Sequence, residues 1–339
     1  MKTYHKFLLA LLMMVIGAKA FSQTNVDAKS LVKQGVALND SGKYDEAIAK
    51  YNLAIKTDSN YANAYYELAY TLFSNGKEKE AIPYLEKVLA LNPKSPDGCD
   101  MLGSIYDDLK QSDKAIDYYK QGLEADSTYQ RLHFNLAITY YRIGKYPESE
   151  SSAIKAIKLD PKHASSQRVY AMATYKLKKR AYSLMAWCSF LLLEPQSKRS
   201  PEAFAYVKNI LNYGVTYKDA KSINISVNPN EGPGNLLMPM AIATALEKKK
   251  DLTAVDSVQF QLASLLEIAH AIADDKGPSF AANYYSDYFE KLAKSGNMPA
   301  FTHYISLSVY KEDDLKWFKE HDKELTDLDK WIVSTERKF

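Results

Sequence analysis

The sequence predicts an all-α chain in which a superhelical solenoid of paired helices leads into a mostly helical C-terminal domain. Three observations carry this. Small residues stand at Ala47, Ala81, Ala115, Ser149 and Ser183, each 34 positions after the one before. Short similar segments surround them: Gly42-Lys43-Tyr44-Asp45-Glu46-Ala47-Ile48, Gly76-Lys77-Glu78-Lys79-Glu80-Ala81-Ile82, Gln111-Ser112-Asp113-Lys114-Ala115-Ile116 and Gly144-Lys145-Tyr146-Pro147-Glu148-Ser149-Glu150. Between them apolar residues keep helical spacing, as in Leu68, Ala69 and Leu72, then Ala81, Leu85, Val88 and Leu89.

From the N-terminus, residues 1–20 read as a signal peptide. Lys2, His5 and Lys6 precede the apolar run Phe7 to Ile16, which is too short to span a bilayer, and Ala18-Lys19-Ala20 supplies a small-x-small cleavage site. Cleavage is expected after Ala20, or else after Ser22. An export route to the periplasm or the cell exterior follows, with no stable membrane insertion once the leader is removed. Removal takes three lysines, so 44 basic residues fall to 41 against 41 acidic ones. A formally neutral chain lacks the positive field that nucleic acids or anionic lipid surfaces demand. With 46% hydrophobic and 25% charged residues, the composition is that of a folded soluble protein.

Five units follow in one frame: 28–61, 62–95, 96–129, 130–163 and 164–197. Gly35, Ala69, Gly103, Ala137 and Ala171 occupy one first-helix position, opposite the small second-helix position of Ala47 and its equivalents. Small side chains at both let paired axes approach closely. Gly42, Gly76 and Gly144 stand where the first helix ends, a site favouring the left-handed conformation that glycine adopts without penalty. Lys110 and Lys178 replace that glycine, which predicts longer or strained turns. Pro93, Pro161 and Pro195 end the second helices. Cys99 and Cys188 fall two hairpins apart, beyond the roughly 7 Å that a disulfide allows between Cα atoms, and are expected as free thiols.

This period and pattern resemble the tetratricopeptide repeat family. The resemblance implies a TPR solenoid whose first helices line a concave groove that binds a partner protein or an extended peptide. Carried over position by position, the groove residues are Tyr66, Tyr70 and Phe73 in the second unit, and Asp97, Asp100, Asp107 and Asp108 in the third. The fourth adds Arg131, Phe134, Tyr141 and Arg142, and the fifth Arg168, Tyr175 and Lys176. An aromatic, then acidic, then basic groove suits a peptide of mixed charge. The alternative is that these acids and arginines pair with one another as structural ion pairs. Some members of the family hold chaperone C-terminal carboxylates through lysine and asparagine. Here Val32, Val36 and Tyr70 stand at such positions, so that clamp is not expected.

The C-terminal domain is placed at 198–339. Ser200-Pro201-Glu202 reads as a helix start leading into Phe204, Val207, Ile210 and Leu211. Ile223, Ile225 and Val227 alternate with polar residues as one short strand. Helices are expected near 236–248, 254–274, 279–294, 299–308, 312–321 and 325–336. Ile305, Leu307 and Val309 could instead form a strand beside 223–227, but Phe301, Tyr304, Ile305 and Ser308 share a helical face. The segments Tyr284 to Phe289 and Ala300 to Ile305, with Trp317 and Trp331, resemble C-terminal extensions of secreted tetratricopeptide proteins of Bacteroidetes-type bacteria.

No phosphate-binding glycine loop, zinc-type cysteine pair or nucleophile elbow is present, so no catalytic residue, metal or cofactor is expected. Glu267, His270 and Asp274 have a spacing known from di-iron bundles, but the second copy such a site needs is missing, and a salt-linked surface fits better. The expected role is therefore a non-enzymatic interaction scaffold. A glycan-binding module using the groove aromatics, or an enzyme within 198–339, are the alternatives.

Overall fold

The computed structural model describes residues 27–219, 222–226, 228, 231–246, 252–274 and 277–339. The expected signal peptide and both expected cleavage positions lie outside the described residues, as does Val227. The chain divides into two compact units, one ending at Leu109 and the other beginning at Lys110.

The first unit contains α1 (Ala28–Asp40), α2 (Tyr44–Thr57), α3 (Ala62–Ser74), α4 (Glu78–Leu91) and α5 (Pro96–Asp108). Side chains start two of these helices. Asp27 accepts from the Ser30 amide at 2.6 Å, and Ser95 accepts from that of Gly98 at 3.1 Å, with Pro96 in the first turn. The small positions are packed as the period requires: Ala47, Ala69 and Ala81 have no exposed surface. At Gly35 an added Cβ would lie 2.4 Å from the Tyr51 ring, which is itself fully buried. Gly35→Ala should therefore cost about 1–3 kcal/mol through overpacking. Urea unfolding followed by circular dichroism would show this as a lowered midpoint at unchanged slope, and an unshifted midpoint would contradict the packing.

The second unit begins with α6 (Ser112–Ala125), α7 (Gln130–Arg142), α8 (Tyr146–Leu159), α9 (Ala164–Lys176), α10 (Arg180–Leu193) and α11 (Ser200–Leu211). Serine replaces alanine at the small second-helix position of its two complete pairs. Ser149 Oγ donates to the Ala137 carbonyl and Ser183 Oγ to that of Ala171, each at 2.8 Å. The buried hydroxyl is thereby satisfied by the small residue opposite, which explains why a polar residue fits there.

The helix-ending turns all keep one length. Gly42, Gly76 and Gly144 have φ of 74°, 72° and 77°, and Lys110 and Lys178 follow at 62° and 60°. The expected strain is present and the expected lengthening is not. The turn is fixed by its hydrogen bonds, such as Lys43 N to Leu38 O and Lys179 N to Thr174 O, both 2.9 Å. A lysine held there takes the left-handed conformation at about 1–2 kcal/mol.

Beyond α11 come an antiparallel ribbon and further helices: β1 (Val215–Asp219), β2 (Ser222–Ile225), α12 (Pro233–Leu246), α13 (Ala254–Leu266) and α14 (Ala269–Ala273). A π-helical turn (Ala282–Ser286) then runs into α15 (Asp287–Lys294), followed by α16 (Met298–Ser306), α17 (Lys311–Glu320) and α18 (Asp322–Ser334). Several details correct the sequence reading. The expected strand is β2, and it pairs with β1, whose apolar residues are too few to announce it. The helix expected over 254–274 breaks at Ile268, whose backbone is non-helical (φ −118°, ψ 32°). The helix expected from Ser200-Pro201-Glu202 is α11, which begins on Ser200, its hydroxyl donating to the Glu194 carbonyl at 2.6 Å. Residues 298–306 are helical, which removes the alternative strand there.

Packing does not stop at residue 198. One apolar cluster runs from Ala137 on α7 through Trp187 and Phe190 on α10 and Phe204 on α11 to Tyr285, Phe289, Phe301 and Leu328. Gln167, 1% exposed on α9, ties the two parts together. Its amide donates to Tyr284 Oη at 2.9 Å, and its carbonyl accepts from Tyr285 Oη at 2.6 Å.

Candidate functional site

In the first unit α3 carries Tyr66 and Phe73, both half-buried, and Tyr70, 43% exposed. On α5 Asp97 and Asp108 are exposed, whereas Asp100 and Asp107 are only 4% and 6% exposed. Of the four expected acids, two are therefore placed to meet solvent. Sequence reasoning passed over Glu67 on α3, whose carboxyl is pushed up by burial and by the nearby charge of Asp40 on α1.

In the second unit the residues expected on α7 and α9 are joined by a third helix. Phe134 meets the His163 ring edge-on at 4.9 Å, and Tyr141 leans on Tyr146 at 5.5 Å. Tyr175 meets Tyr206 of α11 edge-on at 5.3 Å, and Tyr206 stacks on the buried Trp187 at 4.7 Å. Arg168 pairs with Glu202 of α11 at 2.9 Å. Arg199 donates to Ser165 at 2.9 Å and pairs with Glu194. Burial, then Tyr206 and Tyr146, push the Tyr141 phenol up, so Tyr141 meets these rings as a neutral phenol at neutral pH. Arg131 and Arg142 are exposed, Arg131 lying 5.5 Å over the Tyr129 ring, and Lys176 is exposed at the end of α9.

Arg168 thus follows the ion-pair alternative, with a partner outside the five units. The sequence held the signal that was missed. Glu202 and Arg199 lie 34 positions after Arg168 and Ser165, and Ala205 lies 34 after Ala171, so α11 continues the frame as one more first helix. The ribbon β1–β2 then stands where a second helix would follow, and Ala205 is exposed where Ala171 is buried.

Outside this patch, polar clusters are structural in kind. His270 lies 2.9 Å from Asp287 and 3.8 Å from Glu290, a salt-linked surface. Trp317 is stacked between His303 at 4.4 Å and His321 at 4.2 Å, and His303 is held by the buried Asp314. Among the described residues no group of three His, Cys, Asp or Glu is gathered as a metal site would require, and no helix is long and apolar enough to cross a membrane. Cys99 and Cys188 are free and fully buried, and burial pushes their thiols up to about 11 and about 12.

Comparison with known proteins agrees with the helix pairs. Models of the tetratricopeptide repeat match residues 35–76, 62–95, 96–129 and 130–163. The chain is 32% identical over 100 residues to Hsp70-Hsp90 organizing protein 1 of Glycine max, covering 30% of this chain and 18% of that protein. It is 24% identical over 251 residues to a TPR repeat-containing protein of Methanocaldococcus jannaschii, covering 68% and 43%. The matched stretch spans less than half the length of either relative. Among solved structures it is similar to MamA (20% identity, TM-score 0.45, covering 52% of this chain and 94% of that one). It is also similar to YrrB, a TPR protein with an unusual peptide-binding site (22% identity, TM-score 0.46, covering 56% and 97%). The 34-residue helix pairs of residues 35–163 are tetratricopeptide repeats.

Proposed function

We propose that this protein is an exported, non-enzymatic interaction scaffold that holds a partner protein or an extended peptide on its first helices. The observation that carries the reading is the patch on α7, α9 and α11. There Tyr141, Tyr175 and Tyr206 lie beside the Arg168–Glu202 pair, with Arg131, Arg142 and Lys176 exposed on α7 and α9. Aromatic side chains and arginine are the residues that anchor protein interfaces, because they offer large contact area with a polar handle. The relative's name, Hsp70-Hsp90 organizing protein, accords with repeats that serve as docking modules, although Val32, Val36 and Tyr70 do not supply the lysines and asparagine of a carboxylate clamp.

Crosslinking pull-down from an exporting cell tests this. The wild-type chain is expected to retain a specific protein, and Tyr141→Ala with Tyr175→Ala should reduce its recovery about tenfold or more, the loss of two anchoring side chains. Recovery unchanged in the double variant would remove the patch from the interface. If no protein is retained and the chain instead binds a polysaccharide column in a manner lost in Tyr70→Ala, the exposed ring of Tyr70 is serving a glycan.

A further inference from the structure

Four arginines are half-buried among the described residues: Arg168, Arg180, Arg199 and Arg337. Three are paired with a carboxylate, those of Glu202, Glu231 and Glu194. Arg337 is the exception, with no carboxylate within ion-pair distance among the described residues. Its Nη1 donates to Ser189 Oγ at 2.7 Å, and its guanidinium carbon sits over aromatic rings, 4.0 Å from the centre of Tyr288 and 4.9 Å from that of Tyr284. Those faces and the hydroxyls of Ser189 and Tyr288 return part of what the cation loses on leaving water. A guanidinium has five N–H donors in a planar fork, and these two hydroxyls engage only part of it.

The same arginine borders a cavity of about 530 Å³, within the range of roughly 300–1,000 Å³ that small-molecule sites occupy. Its walls are mainly apolar, with Leu192 and Leu193 of α10 on one side and Leu328 and Ile332 of α18 on the other. Tyr304 of α16 lines it as well, and no partner for that hydroxyl is found among the described residues. Burial, then Asp329, push the Tyr304 phenol up, so at neutral pH it offers a proton instead of a charge. Asp329 also lines the cavity and is exposed. One cation, one phenolic donor and apolar walls define the chemistry of an occupant. A planar monoanion matches the guanidinium fork, whereas a phosphate dianion would meet a single cation and a repelling carboxylate.

We propose that this cavity binds a small carboxylic acid with an apolar body, its carboxylate on Arg337 and its hydrocarbon between α10 and α18. The site is separate from the patch on α7, α9 and α11 and does not depend on how that patch is used. The carboxylate could belong to a free acid or to the apolar last residue of a polypeptide, and both present the same groups.

Calorimetric titration of the full chain with decanoate, with decylamine and with N-acetyl-alanyl-phenylalanine tests this. Decanoate is expected to bind at least tenfold more tightly than decylamine, which has the same chain and the opposite charge. Arg337→Gln should weaken decanoate at least tenfold, and Leu193→Trp, which fills the mouth and leaves the arginine in place, should weaken it likewise. The acid-to-amine comparison on the wild-type chain needs no variant, so the proposal stays testable even if Arg337→Gln does not fold. Binding of the dipeptide but not of its amide would assign the carboxylate to a polypeptide end, and binding of decanoate alone would assign it to a free acid. Equal affinity for decanoate and decylamine, binding of neither decanoate nor the dipeptide, or undiminished binding by a folded Arg337→Gln or Leu193→Trp would overturn it.

Discussion

Gln167→Leu is expected to lower the stability of the second unit by about 3 kcal/mol. The side chain is 1% exposed and serves two tyrosine hydroxyls in opposite senses, donating to Tyr284 and accepting from Tyr285. It also donates to the Pro161 carbonyl at 3.2 Å. Leucine fills a similar volume but leaves both hydroxyls buried without a partner, and each such orphan costs about 1–3 kcal/mol. Leucine's gain in apolar burial offsets only part of this. All three tryptophans, Trp187, Trp317 and Trp331, lie in the second unit, so their fluorescence during urea unfolding reports that unit alone. Adding Tyr284→Phe to the leucine variant removes one orphan and should restore about 1 kcal/mol, a coupling that a double-mutant cycle would expose. A single variant within about 0.5 kcal/mol of wild type would show that this amide does not join α9 to the C-terminal helices.

The second large effect concerns Glu231, just ahead of α12. Burial alone would raise its carboxyl, but hydrogen bonds from Arg180, Tyr213 and Lys178 win and hold it down from 4.5 to about 2. Tyr213 donates at 2.8 Å, Lys178 lies at 3.1 Å, and the Arg180 guanidinium stacks 3.5 Å over the Tyr213 ring. A carboxyl whose folded pKa is depressed contributes stability above its unfolded pKa, and that contribution disappears as pH falls through the folded value. The wild-type chain should thus lose this part of its stability between about pH 4.5 and about pH 2. Glu231→Gln leaves Arg180 without its anion and should cost about 3 kcal/mol at neutral pH. The gap between wild type and variant should then close as the solution is acidified. Other depressed carboxyls, such as Glu194, shape both acid limbs equally, so the difference isolates Glu231. A gap that stays constant down to pH 2 would mean that the cluster is not held by the ionised form.

Much of the architecture was legible because a period repeated without insertion encodes contact between neighbours. The small residues marked where axes approach, and the turns followed even where lysine stands for glycine. Legibility failed where local patterns are ambiguous. Val215 and Tyr217 do not announce a strand without their partner Ile225 and Ile223, since a two-stranded ribbon is stabilised by pairing and not by either strand alone. The break at Ile268 has no glycine or proline to mark it. In the aromatic patch, the tyrosines and Arg168 of α7 and α9 were readable from the frame, but Tyr206 and Glu202 were not sought because the frame was closed one helix too soon. Arg337 was invisible for a different reason. Its significance lies in having no carboxylate within ion-pair distance among the described residues, which no sequence pattern records.

The two cysteines give the molecule an internal clock. One lies in each compact unit, and neither forms an appreciable thiolate while its surroundings stay closed. Alkylation at Cys99 or Cys188 must therefore wait for its own unit to open. Mass-resolved labelling of the native chain would read two separate opening rates, and equal rates would mean that the units breathe as one.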